Sequence, residues 1–226
     1  MLGRLECSEG GWGKLRRDTF YGLEVLTAQA DPEGWLGEVR LRRAGRGLRR
    51  SGALQALAPK GFQGWPLLEK CGLRPVDPSP LIRAQCAPLA VEALGRRGVS
   101  PDRATVALRG LRADRDMARA AVQLCQRVRY LVVSAPRGGE ELAQWLRREF
   151  GVPVLPAREQ AQLALCFHPQ AQEEEPAVLE LFGLCPSLDG LRLSAPALAE
   201  ADRENLPLLS ALWERGRLGG DSVKIT

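Results

Sequence analysis

Between residues 57 and 77 the chain reads LAPKGFQGWPLLEKCGLRPVD, with glycines spaced much as a phosphate-holding turn requires. Laid on the pattern G-x-G-x-x-G, the stretch supplies Pro59, Lys60, Gly61, Phe62, Gln63 and Gly64, so the second and third glycines are present and the first is proline. In such a turn the first glycine makes the tight bend, the second lets the backbone approach a pyrophosphate, and the third lets the helix pack on its strand. An acid at the end of the next strand then takes a ribose hydroxyl, and Asp77 stands there, 16 residues after Gly61, where about 20 is usual. Lys60 adds a cation suited to phosphate. Proline at position 59 fixes φ and removes an N–H, so the expectation is a degenerate cradle, a corner whose Phe62 and Trp65 pack on the core.

Two further stretches could hold an anion. In VVSAPRGGEEL a strand runs through Gly138 and Gly139 into a helix start, with Arg137 beside them; free N–H groups and the positive dipole end suit an anion. Glu140 and Glu141 fill the same first turn and already satisfy that dipole. In LRGLRADRD, Arg109 and Arg112 follow another strand, and if the two units are parallel they share an edge with Arg137, where three guanidinium forks could recognise phosphate or carboxylate.

His168 is the only histidine, which excludes any mechanism that needs two. Strand alternation in LALCFHP would put Cys166 and His168 on one face, but zinc needs three or four ligands, and no metal site is expected. No G-x-S-x-G, Walker loop or H-E-x-x-H occurs. No catalytic residue is assigned, because Asp114, Asp116, Glu140 and Glu141 have ready roles at helix starts.

The elements that must position these residues are clearest from 104 to 155. ATVALRG, DRDMARAAVQLCQRV, RYLVVSA, GGEELAQWLRREF and GVPVLP alternate strand, helix, strand, helix, strand. Met117, Ala121, Leu124 and Val128 share a helical face, as do Leu142, Trp145, Leu146 and Phe150, whereas YLVV is a continuous apolar run of the kind buried on both faces. Asp114 is placed to cap the first helix and Gly151 to end the second. Upstream, ALQALA, a short helix over 64–71, LRPV and a helix over 79–97 continue the alternation, with Pro88 expected to kink or split that last helix. With LALCF added, about six strands near residues 53, 73, 105, 130, 153 and 164 are expected in one mostly parallel sheet.

Residues 53–168 resemble a Rossmann-like doubly wound α/β domain, a superfold and not a single family. Such folds bind nucleotides beyond the carboxyl ends of their strands, where strand order reverses, although fold alone does not fix function. Residues 1–52 are expected as a small α/β appendage, with YGLEVLTAQA a strand and 35–50 a helix, and 169–226 as a C-terminal extension packing on the core. That extension opens on PQAQEEEP as a surface loop, followed by AVLELFG and GLRLSA as strands, NLPLLSALWERGRL as a helix and SVKIT as a terminal strand.

Composition narrows the partners. Hydrophobic residues make up 45% of the chain and charged residues 26%, ordinary for a globular protein. No apolar run spans a bilayer and the N-terminus lacks the apolar middle of a signal peptide, so a cytoplasmic protein is expected, with its dispersed cysteines reduced. The net charge of +5 rests on an arginine-heavy chain in which only four of 32 basic residues are lysine, a bias that codon usage alone can produce. In GEVRLRRAGRGLRRSG, Arg42, Arg46 and Arg49 share one helical face opposite Leu41, Ala44 and Leu48; the segment has no aromatic stacking residue and no nucleic-acid motif, which counts against a nucleic-acid partner. The sequence therefore reads first as a non-catalytic ligand-sensing, scaffold or partner-binding protein, engaging a protein or an anionic small molecule, with no cofactor. The alternative is an NAD(P)-type oxidoreductase or other nucleotide-dependent enzyme using Gly61, Gly64 and Asp77; a nucleic-acid contact through 35–50 ranks last.

Overall fold

A computed structural model describes residues 1–171 and 175–226; positions 172–174, in the middle of the loop expected at PQAQEEEP, lie outside the described residues. The chain is a mixed α/β protein in two compact units, one formed by Met1–Asp77 with Asn205–Gly219 and the other by Pro78–Glu204 with Gly220–Thr226. Among the described residues no helix is long and apolar enough to cross a membrane, and the six cysteines are free thiols.

The first unit is built on β1 (Leu2–Cys7), β2 (Trp12–Phe20), β3 (Leu23–Ala30), β4 (Gln55–Leu57) and β5 (Arg74–Pro75), in the order β2-β3-β1-β4-β5. β1 pairs in parallel with both β3 and β4, β4 in parallel with β5, and only β2 runs antiparallel, against β3. The connection from β3 to β4 is α1 (Gly37–Arg50), whose buried residues Gly37, Leu41, Ala44, Gly45 and Leu48 recur at helical spacing. Of these, Leu41, Ala44 and Leu48 meet Leu5, Leu26, Ala28, Ala30, Leu68 and Leu73 in one core. α2 (Trp65–Lys70) links β4 to β5. α7 (Leu206–Glu214), capped by the Asn205 side chain, completes the unit, and its buried Ser210 hydroxyl donates to the Asp77 carbonyl at 3.0 Å.

The second unit carries β6 (Thr105–Arg109), β7 (Tyr130–Ser134), β8 (Val154–Leu155), β9 (Leu163–Cys166) and β10 (Val178–Glu180), all parallel, in the order β10-β9-β6-β7-β8. Counted along the chain, this is the doubly wound order 3-2-1-4-5, with its switch point between β6 and β9. α5 (Arg115–Cys125) and α6 (Gly139–Phe150) make the crossovers, and α4 (Cys86–Arg96) packs beside α5 and against β9. Val106, Leu108, Leu131 and Leu165 are buried; the opposite face carries Ala107, Val132, Ala164 and Cys166, flanked by Leu155 and Val178 from the neighbouring strands and packed with Ala161 and Phe182. A small antiparallel pair, β11 (Leu193–Ser194) and β12 (Lys224–Ile225), closes the chain.

The six expected strands are all present, but they do not form one sheet. Those near 53 and 73 are β4 and β5, which join β1, whereas the other four belong to the second sheet. The physical reason is the N-terminal segment: Leu2, Gly3 and Arg4 sit beside Gln55, Ala56 and Leu57, taking the edge that β4 would otherwise offer. Asp114 caps α5 by accepting from the Met117 N–H at 2.9 Å, and Gly151 ends α6 at φ 65°. The helix over 79–97 is split into α3 (Ser79–Ala84) and α4. Pro88, which has no N–H for the Ala84 carbonyl, falls in the first turn of α4, where that loss is harmless.

Candidate functional site

In a sheet of this order a ligand would sit at the carboxyl ends of β6 and β9, and the first βα loop there is Arg109–Asp114. β6 enters it with every residue buried. Three of the loop's donors are committed: the N–H of Gly110 bonds Ser134 O at 3.0 Å, that of Ala113 bonds Arg137 O at 2.8 Å, and that of Asp114 bonds Arg112 O at 3.1 Å. From β9 and β10, the N–H of Phe167 bonds Arg109 O and that of Leu181 bonds Cys166 O, each at 2.8 Å. A phosphate cradle depends on N–H groups left free for the anion; here those of Gly110, Ala113, Asp114, Met117, Phe167 and Leu181 are turned inward.

Space is closed as well. A Cβ added to Gly110 would come within 2.5 Å of the Met117 methyl carbon and 3.6 Å of Phe167 Cβ, and Met117 and Phe167 are themselves buried. Across this edge lies Arg83, sent from α3. Its guanidinium donates to the Leu181 carbonyl (2.9 Å), the Phe167 carbonyl (3.2 Å) and the Asp116 carboxylate (3.2 Å), and it stands 5.8 Å from the centre of the Phe167 ring. One side chain thus ties the ends of β9 and β10 to the first turn of α5. Sequence reading missed it, because Arg83 sits in the last turn of α3 with no motif around it.

Of the three arginines expected to converge, two do. Arg112 and Arg137 form an isolated parallel bridge between the loops after β6 and β7, and both side chains are exposed. Arg109 does not join them. Being two residues along from Ala107, it shares the sheet face opposite α5 and α6, where its guanidinium donates to Ala157 O at 2.8 Å and pairs with the buried Glu175 carboxylate. Gly138, at φ 75°, precedes α6 as its N-cap residue, and the Gly139 N–H bonds Ala135 O at 3.2 Å. Glu140 and Glu141 stand in the first turn of α6.

The glycine stretch at 57–77 lies in the first unit, on the loop from β4 to α2. The Phe62 N–H bonds Pro59 O at 3.2 Å, closing a turn in which Gly61 takes φ 78°, and the Gln63 amide donates to Gly61 O at 3.1 Å. Gly64 lies under an aromatic ring: a Cβ there would come within 2.4 Å of Phe62 Cζ. Phe62 and Trp65 meet edge to face at 5.6 Å and pack against the core. Lys60 is exposed on this turn, and Asp77 is exposed beyond β5, the neighbour of β4, with its carbonyl held by Ser210.

Cys166 is buried in β9, and His168 lies beyond the strand end, its Nδ1 accepting from the Gln170 N–H at 3.2 Å. No group of three or more His, Cys, Asp or Glu side chains that could hold a metal occurs among the described residues. Burial pushes the Cys86 thiol, on α4, up to about 12, so it is a core thiol and not a nucleophile.

No family model and no curated protein matches the sequence. Among solved structures the chain is similar to L-tryptophan dehydrogenase from Nostoc punctiforme, with a TM-score of 0.35 and 17% identity over 74% of this chain and 55% of that one. Ornithine carbamoyltransferase from Pyrococcus furiosus gives a TM-score of 0.29 and 12% identity over 74% and 58%, and arylmalonate decarboxylase 0.22 and 13% over 69% and 86%. The chain thus spans little more than half the length of the first two. At these values nothing of those proteins' chemistry carries over.

Proposed function

We propose that this protein is a non-catalytic binding or scaffold module, with a switch-point crevice filled by its own side chains and contacts made through its outer surfaces. One observation carries this reading: the first βα loop of the second sheet gives the N–H groups of Gly110, Ala113 and Asp114 to its own chain, while Met117, Phe167 and Arg83 crowd the place a nucleotide would take. The turn at 59–64 supports it, since Phe62 covers Gly64 where a pyrophosphate would need the backbone bare.

The test is a thermal-shift screen of the purified protein with NAD, NADP, ATP and GTP. No nucleotide is expected to raise Tm. Arg83→Ala, which removes three hydrogen bonds, should lower stability by about 1–3 kcal/mol without creating a nucleotide response. A rise in Tm with any of the four, abolished by Gly61→Val, would overturn the reading in favour of a nucleotide-dependent enzyme.

A further inference from the structure

We propose that the outward face of α1 binds single-stranded nucleic acid, with Arg43, Arg46 and Arg50 as a row of phosphate contacts and Trp35 as a stacking platform. The helix buries one side in the core of the first unit; on the other, Val39, Arg42, Arg43, Arg46, Gly47 and Arg50 line a surface groove of about 500 Å³. The arginines of α1 are not equivalent. Arg40 is committed to Asp31 at 2.7 Å and lies 5.0 Å from the centre of the Trp12 ring. Arg42 pairs with Glu38 at 3.2 Å, and Arg49 lies against Gly72. Arg43, Arg46 and Arg50 are exposed, and their side chains make no hydrogen bond or ion pair among the described residues.

Spacings of three and four residues stack these groups along one side of the helix, in a row about 10 Å long. Arg17 extends the charge: it is exposed and lies two residues beyond Leu15, which packs at Gly47, so it shares that face of β2. Just before the first turn of α1, Trp35 is 91% exposed, and Val39 is 54% exposed. The stretch from 37 to 50 has no aromatic residue, so an account confined to the helix misses the ring two residues ahead of it.

The chemistry of the groove selects its occupant. The groove is lined by four arginines, a glycine and one apolar side chain, so a protein partner would have to bury several carboxylates against it in one patch, whereas a nucleic-acid strand brings a phosphate charge with every nucleotide. A membrane-surface helix turns its apolar side to lipid; that of α1 is buried in its own core. Three guanidinium groups without carboxylate partners, and an exposed aromatic ring on the turn that leads into the same helix, supply the two components of single-strand binding, one tracking phosphates and the other stacking unpaired bases. This surface is independent of the closed switch point, so a nucleotide response in the thermal-shift screen would leave it untouched.

Fluorescence anisotropy with labelled oligo(dT) and oligo(rU) of about 16 nucleotides, and with a duplex of the same length, tests it. Binding is expected to prefer the single strands and to weaken steeply from about 50 to about 200 mM salt. The variant R43A/R46A/R50A should bind at least tenfold more weakly, with its log–log salt slope shallower by about 2. Trp35→Ala should weaken single-strand binding about tenfold at an unchanged salt slope. All four altered residues are exposed, and circular dichroism melts should coincide with the parent. No binding, salt-independent binding, or equal affinity in the triple variant would overturn the proposal. Equal or tighter duplex binding, or no effect of Trp35→Ala, would overturn its single-strand assignment.

Discussion

The guanidinium of Arg109 and the carboxylate of Glu175 meet inside the second unit, each side chain only 2% exposed. The other Glu175 oxygen accepts from the Ala161 N–H at 3.0 Å, and Arg109 also donates to Ala157 O at 2.8 Å. One end of β6 is thereby fastened to the segments that cover the sheet face opposite α5 and α6. Breaking one side of a buried pair strands the other charge. Glu175→Ala should therefore cost about 3–5 kcal/mol in urea unfolding, whereas replacing both, as R109M/E175L, should cost less than either single change. A double variant as unstable as the sum of the two singles would contradict this.

At the glycine turn the close approach of Phe62 to Gly64 makes a second expectation. Gly64→Ala forces the ring aside and should destabilise by about 1–3 kcal/mol. Removing the ring first should abolish most of that penalty, so the double variant F62A/G64A should be markedly less damaged than additivity predicts. Additive losses in a denaturant cycle would show that the ring moves without cost.

Core thiols set a third. Burial raises Cys86, so the native state keeps its proton where the unfolded chain, with an ordinary thiol, loses it. For such a group the unfolded state binds fewer protons, and stability falls as pH rises. Between about pH 9 and the raised value, parent and C86A should diverge by up to about 1.4 kcal/mol per pH unit, and they should run parallel below it. In native protein at neutral pH a thiol reagent should reach exposed Cys185 and Cys7 and spare buried Cys86 and Cys166. Prompt modification of Cys86 without unfolding would refute its burial.

Much of the second unit was legible because its signals are local. Met117, Ala121 and Leu124 spell an amphipathic helix, Asp114 its cap, and Tyr130–Ser134 a strand covered on both sides. The first unit was harder for two physical reasons. β2 is an edge strand whose Lys14, Arg16 and Arg17 face water, so it has none of the apolar alternation that reveals a strand. One partner of β4 is β1, more than 50 positions away in the chain, and periodicity says where a strand is, never what it pairs with. At the candidate site, Arg109, Arg112 and Arg137 looked alike in sequence, and only the face of β6 on which Arg109 emerges separates it from the other two. Arg83 carried no signal, since its role depends on carbonyls at Phe167 and Leu181, far along the chain.

The first unit is discontinuous: Met1–Asp77 is completed by Asn205–Gly219, with the buried α7 hydroxyl of Ser210 fastened to the Asp77 carbonyl. This imposes an order on biosynthesis. As the chain emerges from a ribosome, β6 to β10 are all present before the last helix of the first unit has been made, and domains fold as units when their residues become available. The central β1 must also wait for β4 before its second edge is paired, and such non-local pairing slows folding. The parallel sheet of the second unit is therefore placed to form first, whereas both units are completed only by the last stretch of chain, the first by α7 and the second by β12.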